Sequence, residues 1–294
     1  MRSFSGQTLS WDHVGDAIEV RLHRAPLNEI GLETLRELEQ VAAYARVGAG
    51  GARALIWTSD QPGFCAGADL RALQQGLADR SDRLRHHLDR ATTRLGPLGQ
   101  PVRRGMRRLS RPIVRREIGQ FIDRIHAAFD TLDTAPMTTI AAVHGVCFGG
   151  GFELALTADL IVADKSARFC FPELRLGLVP GFGGIPRLNR DVGNAVCRDL
   201  LLTGRSLNAT RAHTIGLVSQ VVPRGKALDV ARKVAQQASR YDAYTTAKAK
   251  AFAKPLPRVD LDREKAAFLH LVTRPKVYEA LSQFVEDDSV RPYL

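Results

Sequence analysis

Three observations on the sequence predict an α/β fold. Short apolar runs of strand length recur at Ala17 to Leu22, Ala54 to Thr58 and Ile140 to Val143. Between and after them, apolar residues repeat at helical spacing. Glycine marks the changes from one pattern to the other, most densely at Gly149, Gly150 and Gly151. A chain of 294 residues, 45% hydrophobic and 25% charged, can bury one sizeable core and has the balance of an ordinary globular protein.

Ala17 to Leu22 alternates as a strand, and Leu32, Leu35, Leu38, Val41, Ala42 and Ala45 then share one helix face until Gly48 stops them. Ala54 to Thr58 is the next strand. The run Phe64-Cys65-Ala66-Gly67-Ala68-Asp69-Leu70 places small residues where that strand gives way to a loop. From Arg71 to Arg124 the composition shifts: fourteen arginines and no lysine stand against five acids, a net +9, so nearly all of the chain's formal +11 sits here. Gly96, Pro97, Gly99, Pro101 and Gly105 are expected to break regular structure within it. Ile118, Phe121, Ile122, Ile125, Ala128, Phe129 and Leu132 then form a helical stripe that ends before Pro136.

Ile140 to Val143 reads as a buried strand ended by His144 and Gly145, after which the triple glycine opens a helix expected to reach about Ala158. Without a Cβ, these glycines let a ligand approach the first amides of the helix, which lack intrahelical partners and carry the positive dipole end. Such amides stabilise a developing oxyanion. Taken alone, the same glycines favour a plain tight turn over an oxyanion site. Glu153 falls in the first helical turn, and Glu173 follows Pro172 on a loop or strand end, so two carboxylates flank the glycine turn. That pairing suits acid/base chemistry. Gly177, Pro180, Gly181, Gly183 and Gly184 form a turn-rich stretch before a helical segment near Val192 to Leu202. Asn208 is placed to cap a short helix from Ala209 that Gly216 ends. Later helices are marked by Leu228, Ala231, Val234 and Ala235, and by Ala267, Leu269 and Leu271, in a region without catalytic motifs.

Taken in order, Phe-Cys-Ala-Gly-Ala-Asp-Leu from Phe64, His144-Gly145 with Gly149 to Leu156, Phe171-Pro172-Glu173, and Leu178 to Gly184 resemble the enoyl-CoA hydratase/isomerase (crotonase) superfamily. Thr203-Gly204-Arg205 and Gly216-Leu217-Val218 continue the pattern. The resemblance implies the α/β crotonase (ClpP/crotonase-like) spiral of ββα units over residues 1–205. A helical region at 206–294 would make trimer contacts, with homotrimers or hexamers built from two trimers. It implies an acyl-CoA thioester substrate, an oxyanion hole from the amides matching Ala66 and Gly150, and catalytic carboxylates matching Glu153 and Glu173. Substrate contacts are implied for Ala68, Asp69, Leu70, Leu73, Gly149 and Gly181, and coenzyme A contacts for Arg24, Ala25, Leu27 and Arg71. Both glutamates are present, which favours reversible syn hydration of a 2-enoyl-CoA over reactions needing one carboxylate, such as isomerisation. No cofactor beyond the coenzyme A of the substrate, and no metal, is implied. Ile185-Pro186 departs from the Thr-Gln that often follows the paired glycines.

In the family the link after Asp69 is usually shorter, so about 84–112 looks like an arginine-rich insertion. A solvated lid over the acyl pocket, attraction to CoA phosphates, and binding to nucleic acid or an anionic membrane surface are its three readings. The segment lacks interleaved aromatics before Ile118, which leaves base stacking without a platform and makes nucleic acid an unfavoured partner. An RNA-binding protein is the rival of a different class. Cys65, Cys147, Cys170 and Cys197 have no metal-ligand spacing and read as small reduced core residues. No nucleophile elbow, Walker loop, His-Glu-x-x-His or dinucleotide fingerprint occurs. His144 reads as structural, His86-His87 as solvated. The polar start and the absence of an eighteen-residue apolar run lead to an expected cytoplasmic protein with no transmembrane segment.

Overall fold

In a computed structural model of the chain the described residues are 3–75 and 99–286, those of 99–114 by backbone alone. Strands β1 (Ser3–Ser5), β2 (Leu9–Val14) and β3 (Ala17–Leu22) form an antiparallel meander. Helix α1 (Leu32–Arg46) follows, then strand β4 (Ala54–Ser59). Helix α2 (Gly99–Asp133) leads to strands β5 (Thr138–Val143) and β6 (Val146–Phe148) and to helix α3 (Gly150–Ala155). Next come β7 (Leu160–Asp164), β8 (Arg168–Cys170), and the helices α4 (Gly184–Val192) and α5 (Asn194–Thr203). The chain closes with β9 (Leu207–Asn208), α6 (Ala209–Thr214), β10 (Gln220–Val222), α7 (Ala227–Ala238), α8 (Ala243–Ala253), α9 (Arg258–Leu271) and α10 (Pro275–Glu286).

The strands divide between two sheets. A seven-stranded sheet has the order β1-β2-β3-β4-β5-β7-β10, parallel from β3 onward, and a three-stranded sheet has the order β6-β8-β9. Each turn of the chain lays one strand in the large sheet and a shorter extended piece in the small one: β5 then β6, β7 then β8. Cys65, just after β4, repeats the step by bridging to Cys147 in β6. This repetition delivers the loop after β4, the glycine turn after β6 and the turn after β8 to one place.

The large sheet is covered on both faces, which is why β4, β5 and β7 are near-continuous apolar runs rather than alternating ones. On one face lies the main core, with Leu35, Leu38, Phe129, Phe152 and Phe169. On the other, Ala17, Ala54, Ile56, Ile140 and Val162 meet Ala227, Ala231 and Ala235 of α7. The alternation in β3 therefore has no solvent face, and Glu19 is buried with its carboxylate accepting from Arg232 of α7 at 2.5 and 2.8 Å.

Several local expectations are corrected. Helix α3 stops at Ala155 rather than near Ala158. The turn-rich stretch is already helical from Gly184, because Pro186 falls in the first turn where its missing N–H costs no bond, and Gly193 at φ 83° splits the expected segment into α4 and α5. Backbone helix runs unbroken through Gly99, Pro101 and Gly105, so these residues do not end regular structure. Of the expected insertion at 84–112, residues 84–98, with His86, His87, Gly96 and Pro97, lie outside the described residues. After residue 205 the chain returns to both sheets, β9 beside β8 and β10 beside β7. Among the described residues no helix is long and apolar enough to cross a membrane.

Candidate active site

The sequence places Gly149 at φ 48°, a conformation that suits a residue without Cβ. Its amide donates to Cys170 O at 2.9 Å, which ties the turn to β8. A Cβ on Gly149 would stand 2.7 Å from Glu173 Oε1, so the missing side chain is what lets that carboxyl reach the turn. Helix α3 starts at the next residue, leaving the Gly150 amide as a first-turn donor without an intrahelical acceptor.

Across from it lies the loop after β4. Gly67 O accepts from Ile30 N at 2.7 Å and Asp69 N donates to Ile30 O at 3.1 Å. In that parallel bridge the intervening Ala68 amide is turned to the opposite side, and a Cβ on Gly150 would lie 3.3 Å from Ala68 N. Two donors, Ala68 N–H and Gly150 N–H, thus border one small space. The expectation for Ala66 fails: its N–H donates to Leu27 O at 2.9 Å and is spent on holding the two loops together. The sequence alone does not reveal which amide of Ala66-Gly67-Ala68 is free, because that depends on the register of the bridge to Ile30.

The chamber between these amides has a volume of about 50 Å³ and is bordered by Ala68, Gly150, Glu153, Glu173, Gly181 and Phe182, among others. Leu70 and Leu73 also line it, as does Gly149. Glu153 is buried, and its Oε1 accepts from Phe182 N at 2.8 Å and Gly184 N at 2.9 Å. Burial pushes its proton affinity up, to a pKa of about 7, against the opposing pull of those two amides and the more distant Arg187 guanidinium. Glu173 begins a 3₁₀ turn after β8. Burial first and the charge of Glu153 second hold its pKa well above the usual carboxylate range. Its Oε2 is buried with no hydrogen-bond partner among the described residues. An orphaned carboxyl oxygen inside a chamber of this size is positioned for a group that enters it.

A wider cleft of about 210 Å³ joins the chamber through shared walls at Ala68, Leu73, Phe182 and Phe268. Ile30, Ile118, Phe121 and Ile122 make its lining largely apolar, with Asp69 and Glu117 on its border. Phe182 divides the two spaces: a Cβ on Gly150 would be 2.7 Å from its ring, which also packs against Phe121 and Phe129.

Of the residues expected to hold coenzyme A, Arg24 is paired within the chain. Arg24 pairs with Asp69 at 2.5 Å and donates to Glu29 O, joining the two loops beside the cleft. Asp69 also accepts from Ala72 N at 2.9 Å, capping the helical residues 70–75. Arg71 and Ala25 are exposed, and Leu27 is half-buried. His144 is structural, its Nε2 2.8 Å from Gln61 O, and all four cysteines are buried and free.

Sequence reading missed two residues. Glu264 and Phe268 of α9 reach the site from the region expected to lack catalytic motifs: Phe268 lines both spaces, and the Glu264 carboxylate accepts from Gly183 N and Ile185 N. The signal was present, since Leu261, Glu264 and Phe268 share one buried helix stripe, and a glutamate on such a stripe requires donors.

Two backbone amides converging beside buried carboxyls, on a spiral of paired strands and helices, define the class of α/β proteins with the crotonase fold. The profile of the enoyl-CoA hydratase/isomerase family matches residues 115–290, and the chain belongs to that family. It is 31% identical over 231 residues to a carnitinyl-CoA dehydratase of Proteus mirabilis (strain HI4320), covering 79% of this chain and 74% of the relative. It is 32% identical over 223 residues to a carnitinyl-CoA dehydratase of Escherichia coli (strain K12), covering 76% and 71%. A crystal structure of an enoyl-CoA hydratase from Mycobacterium avium subsp. paratuberculosis K-10 superposes with a TM-score of 0.74 at 19% identity, over 95% of this chain and 99% of that one. An enoyl-CoA hydratase from Bacillus anthracis superposes with a TM-score of 0.65 at 26% identity, over 95% and 96%.

Proposed function

We propose that the protein catalyses the reversible syn addition of water to a 2-enoyl-CoA, giving a 3-hydroxyacyl-CoA. The observation that carries this reading is a pair of glutamate carboxyls, that of the buried Glu153 and that of the half-buried Glu173, bordering one chamber with the amides of Ala68 and Gly150. The thioester oxygen would accept from those two amides and be stabilised as negative charge develops on it. Glu153, ionised, would take a proton from water as its oxygen attacks C3. Glu173, protonated, would deliver a proton to C2 of the enolate. Water and the thioester are the only reactants this scheme requires.

The apolar cleft beyond Phe182 suits an aliphatic acyl chain, with Leu73 and Phe268 shared between chain and reacting carbons. A second reading has one observation in its favour. Phe121, Phe182 and Phe268 border the cleft with Glu117, and aromatic faces attract quaternary ammonium groups such as that of a carnitinyl thioester, the compound in the relatives' names. Solution trimers or hexamers and a cytoplasmic location belong to the same reading of the family.

Loss of the conjugated-thioester absorbance, followed on adding the protein to crotonyl-CoA, longer 2-enoyl-CoAs and a trimethylammonium-bearing enoyl-CoA, tests the reaction and ranks the substrates. Glu153→Gln and Glu173→Gln should each lose about 10² to 10⁴ in turnover while still binding the thioester. Near wild-type turnover in both variants would reject the mechanism.

A further inference from the structure

Four consecutive amides, Phe182 to Ile185, lead into helix α4, and Phe182 lines the chamber that the oxyanion donors border. Two carboxylates share them alternately. Glu153 Oε1 accepts from Phe182 N and Gly184 N, at 2.8 and 2.9 Å. Glu264 takes the other two: Oε1 accepts from Gly183 N at 2.6 Å and Oε2 from Ile185 N at 2.7 Å. The carbonyls of the same turn are held as well, Phe182 O and Gly183 O by the fully buried Arg187 guanidinium at 3.0 and 3.3 Å. Gly183 sits at φ 98°, and a Cβ there would strike Arg187 and Leu261, so the turn is closely packed on that side.

We propose that Glu264 is a positioning residue for the reaction: by holding Gly183 N–H and Ile185 N–H it fixes the interleaved amides of Phe182 and Gly184 that carry Glu153, and so makes helix α9 a working part of the site. The inference rests on the proposed acid/base role of Glu153. Glu264 is buried, and a carboxyl kept there solely for stability would be a poor choice, because its desolvation offsets most of what two hydrogen bonds return. Its placement one turn before Phe268, which lines both chamber and cleft, means that any movement of α9 reaches the acyl wall and the Glu153 carboxyl together.

Among the described residues, Glu153 from α3, Arg187 from α4 and Cys197 from α5 interact electrostatically with Glu264, and His126, Asp130 and Asp133 from α2 lie one step further out, around Arg187. Arg187 is itself bound to Asp133 at 2.8 Å and Asp130 at 2.6 Å, and His126 Nε2 lies 2.8 Å from Gly181 O. Burial first and the charge of Glu153 second raise the proton affinity of Glu264, against the pull of its two amides and of the Arg187 guanidinium that both carboxyls face. On Glu153 the Phe182 and Gly184 amides are what oppose burial, so loosening them raises its proton affinity further.

The experiment uses the full chain with Glu264→Gln. Turnover of the best enoyl-CoA should fall about tenfold to a hundredfold with KM near the wild-type value, as misplacement of a reacting group predicts. The acid limb of its pH profile should move to higher pH by about half a unit or more, because looser Phe182 and Gly184 amides pull less on the Glu153 charge. Leu281→Ala, buried on helix α10 and away from the chamber, should lower thermal stability and leave that limb in place. The ¹³C titration of the Glu153 carboxyl, assigned with Glu153→Gln, reads the same shift without any turnover. A wild-type protein that does not hydrate enoyl thioesters but shows a Glu264-dependent Glu153 titration would overturn the proposed reaction and keep the coupling. A Glu264→Gln protein with the wild-type Glu153 titration overturns this inference alone. Should Glu264→Gln fail to fold, Glu264→Asp keeps the charge and draws the oxygens back from the amides; wild-type turnover in that variant overturns the proposal.

Discussion

Glu153 binds its proton more tightly than an exposed glutamate because burial penalises its charge by more than two amides and Arg187 recover, and its pKa rises to about 7. As a base it must be ionised, so kcat/KM should climb with pH through about 7. Glu173, held well above the usual carboxylate range by burial and by the charge of Glu153, must keep its proton, so the rate should fall again once it ionises. Glu173→Gln should remove most of the activity, and what remains should lack that fall. Stability runs against this requirement. The folded protein holds the Glu153 proton more tightly than the unfolded chain, so a stabilisation fully present below about pH 4.3 is lost as pH rises through 7. Glu153→Gln keeps an acceptor for Phe182 N and Gly184 N without the buried charge. Denaturation at pH 8 should therefore show this inactive variant about 1 to 3 kcal/mol more stable than wild type, with the difference vanishing near pH 4. A less stable variant at pH 8 would contradict the raised pKa.

At the scale of elements, the glycines of the site differ in why they are glycine. A Cβ on Gly151 would lie 2.3 Å from Cys65 O, a backbone atom of the piece that bridges to β6, so neither partner can yield without parting the strands. Gly216, at φ 83°, faces open space and would feel only conformational strain. Gly151→Ala should cost about 3 kcal/mol or more and Gly216→Ala about 1 to 2 kcal/mol, measured by urea denaturation; equal losses would show that strain and not contact decides both sites. Such distinctions bear on what the sequence discloses. The strands β3, β4 and β5, helix α1, the Ile118 to Leu132 stripe and the Asn208 cap, whose Oδ1 accepts from Arg211 N at 2.8 Å, are legible because period, length and capping chemistry are local. The two glutamates and the glycine turn were legible as a motif. The identity of the free amide was not, since the choice between Ala66 and Ala68 is made by bonds to Leu27 and Ile30 some forty residues earlier. Nor was the start of α4, because four glycines and a proline read as a turn until the carboxylates of Glu153 and Glu264 gather the amides from outside the segment. Glu37 repeats the lesson away from the site: it lies on the buried stripe of α1 and accepts from Thr8 N and Leu9 N, both at 2.9 Å.

For the whole molecule, helix α8 poses the largest imbalance. It has no buried residue, and Tyr244 and Phe252 are exposed, Phe252 at 91%. Two lysines rather than apolar packing fasten it to the core: Lys250 Nζ pairs with Asp159 at 2.8 Å, and Lys254 Nζ lies between Asp133 at 2.9 Å and Asp159 at 3.0 Å. Tyr241, just before this helix, and Val259, in the first turn of α9, are exposed as well. An apolar face of this kind, held out by charged tethers, is expected of a chain that covers it with another copy. Sedimentation velocity of the wild type should therefore give a trimer or hexamer of the 32.3 kDa chain, and Tyr244→Glu with Phe252→Glu should shift it to the monomer. Glu153, Glu173, Glu264 and Phe268 all come from one chain, so the dissociated variant should retain the Glu153 titration even where turnover declines. A wild-type monomer at micromolar concentration would rule out the assembly. Loss of the Glu153 titration on dissociation would mean instead that a neighbouring copy keeps water out of the chamber, which one chain's walls would then be insufficient to do.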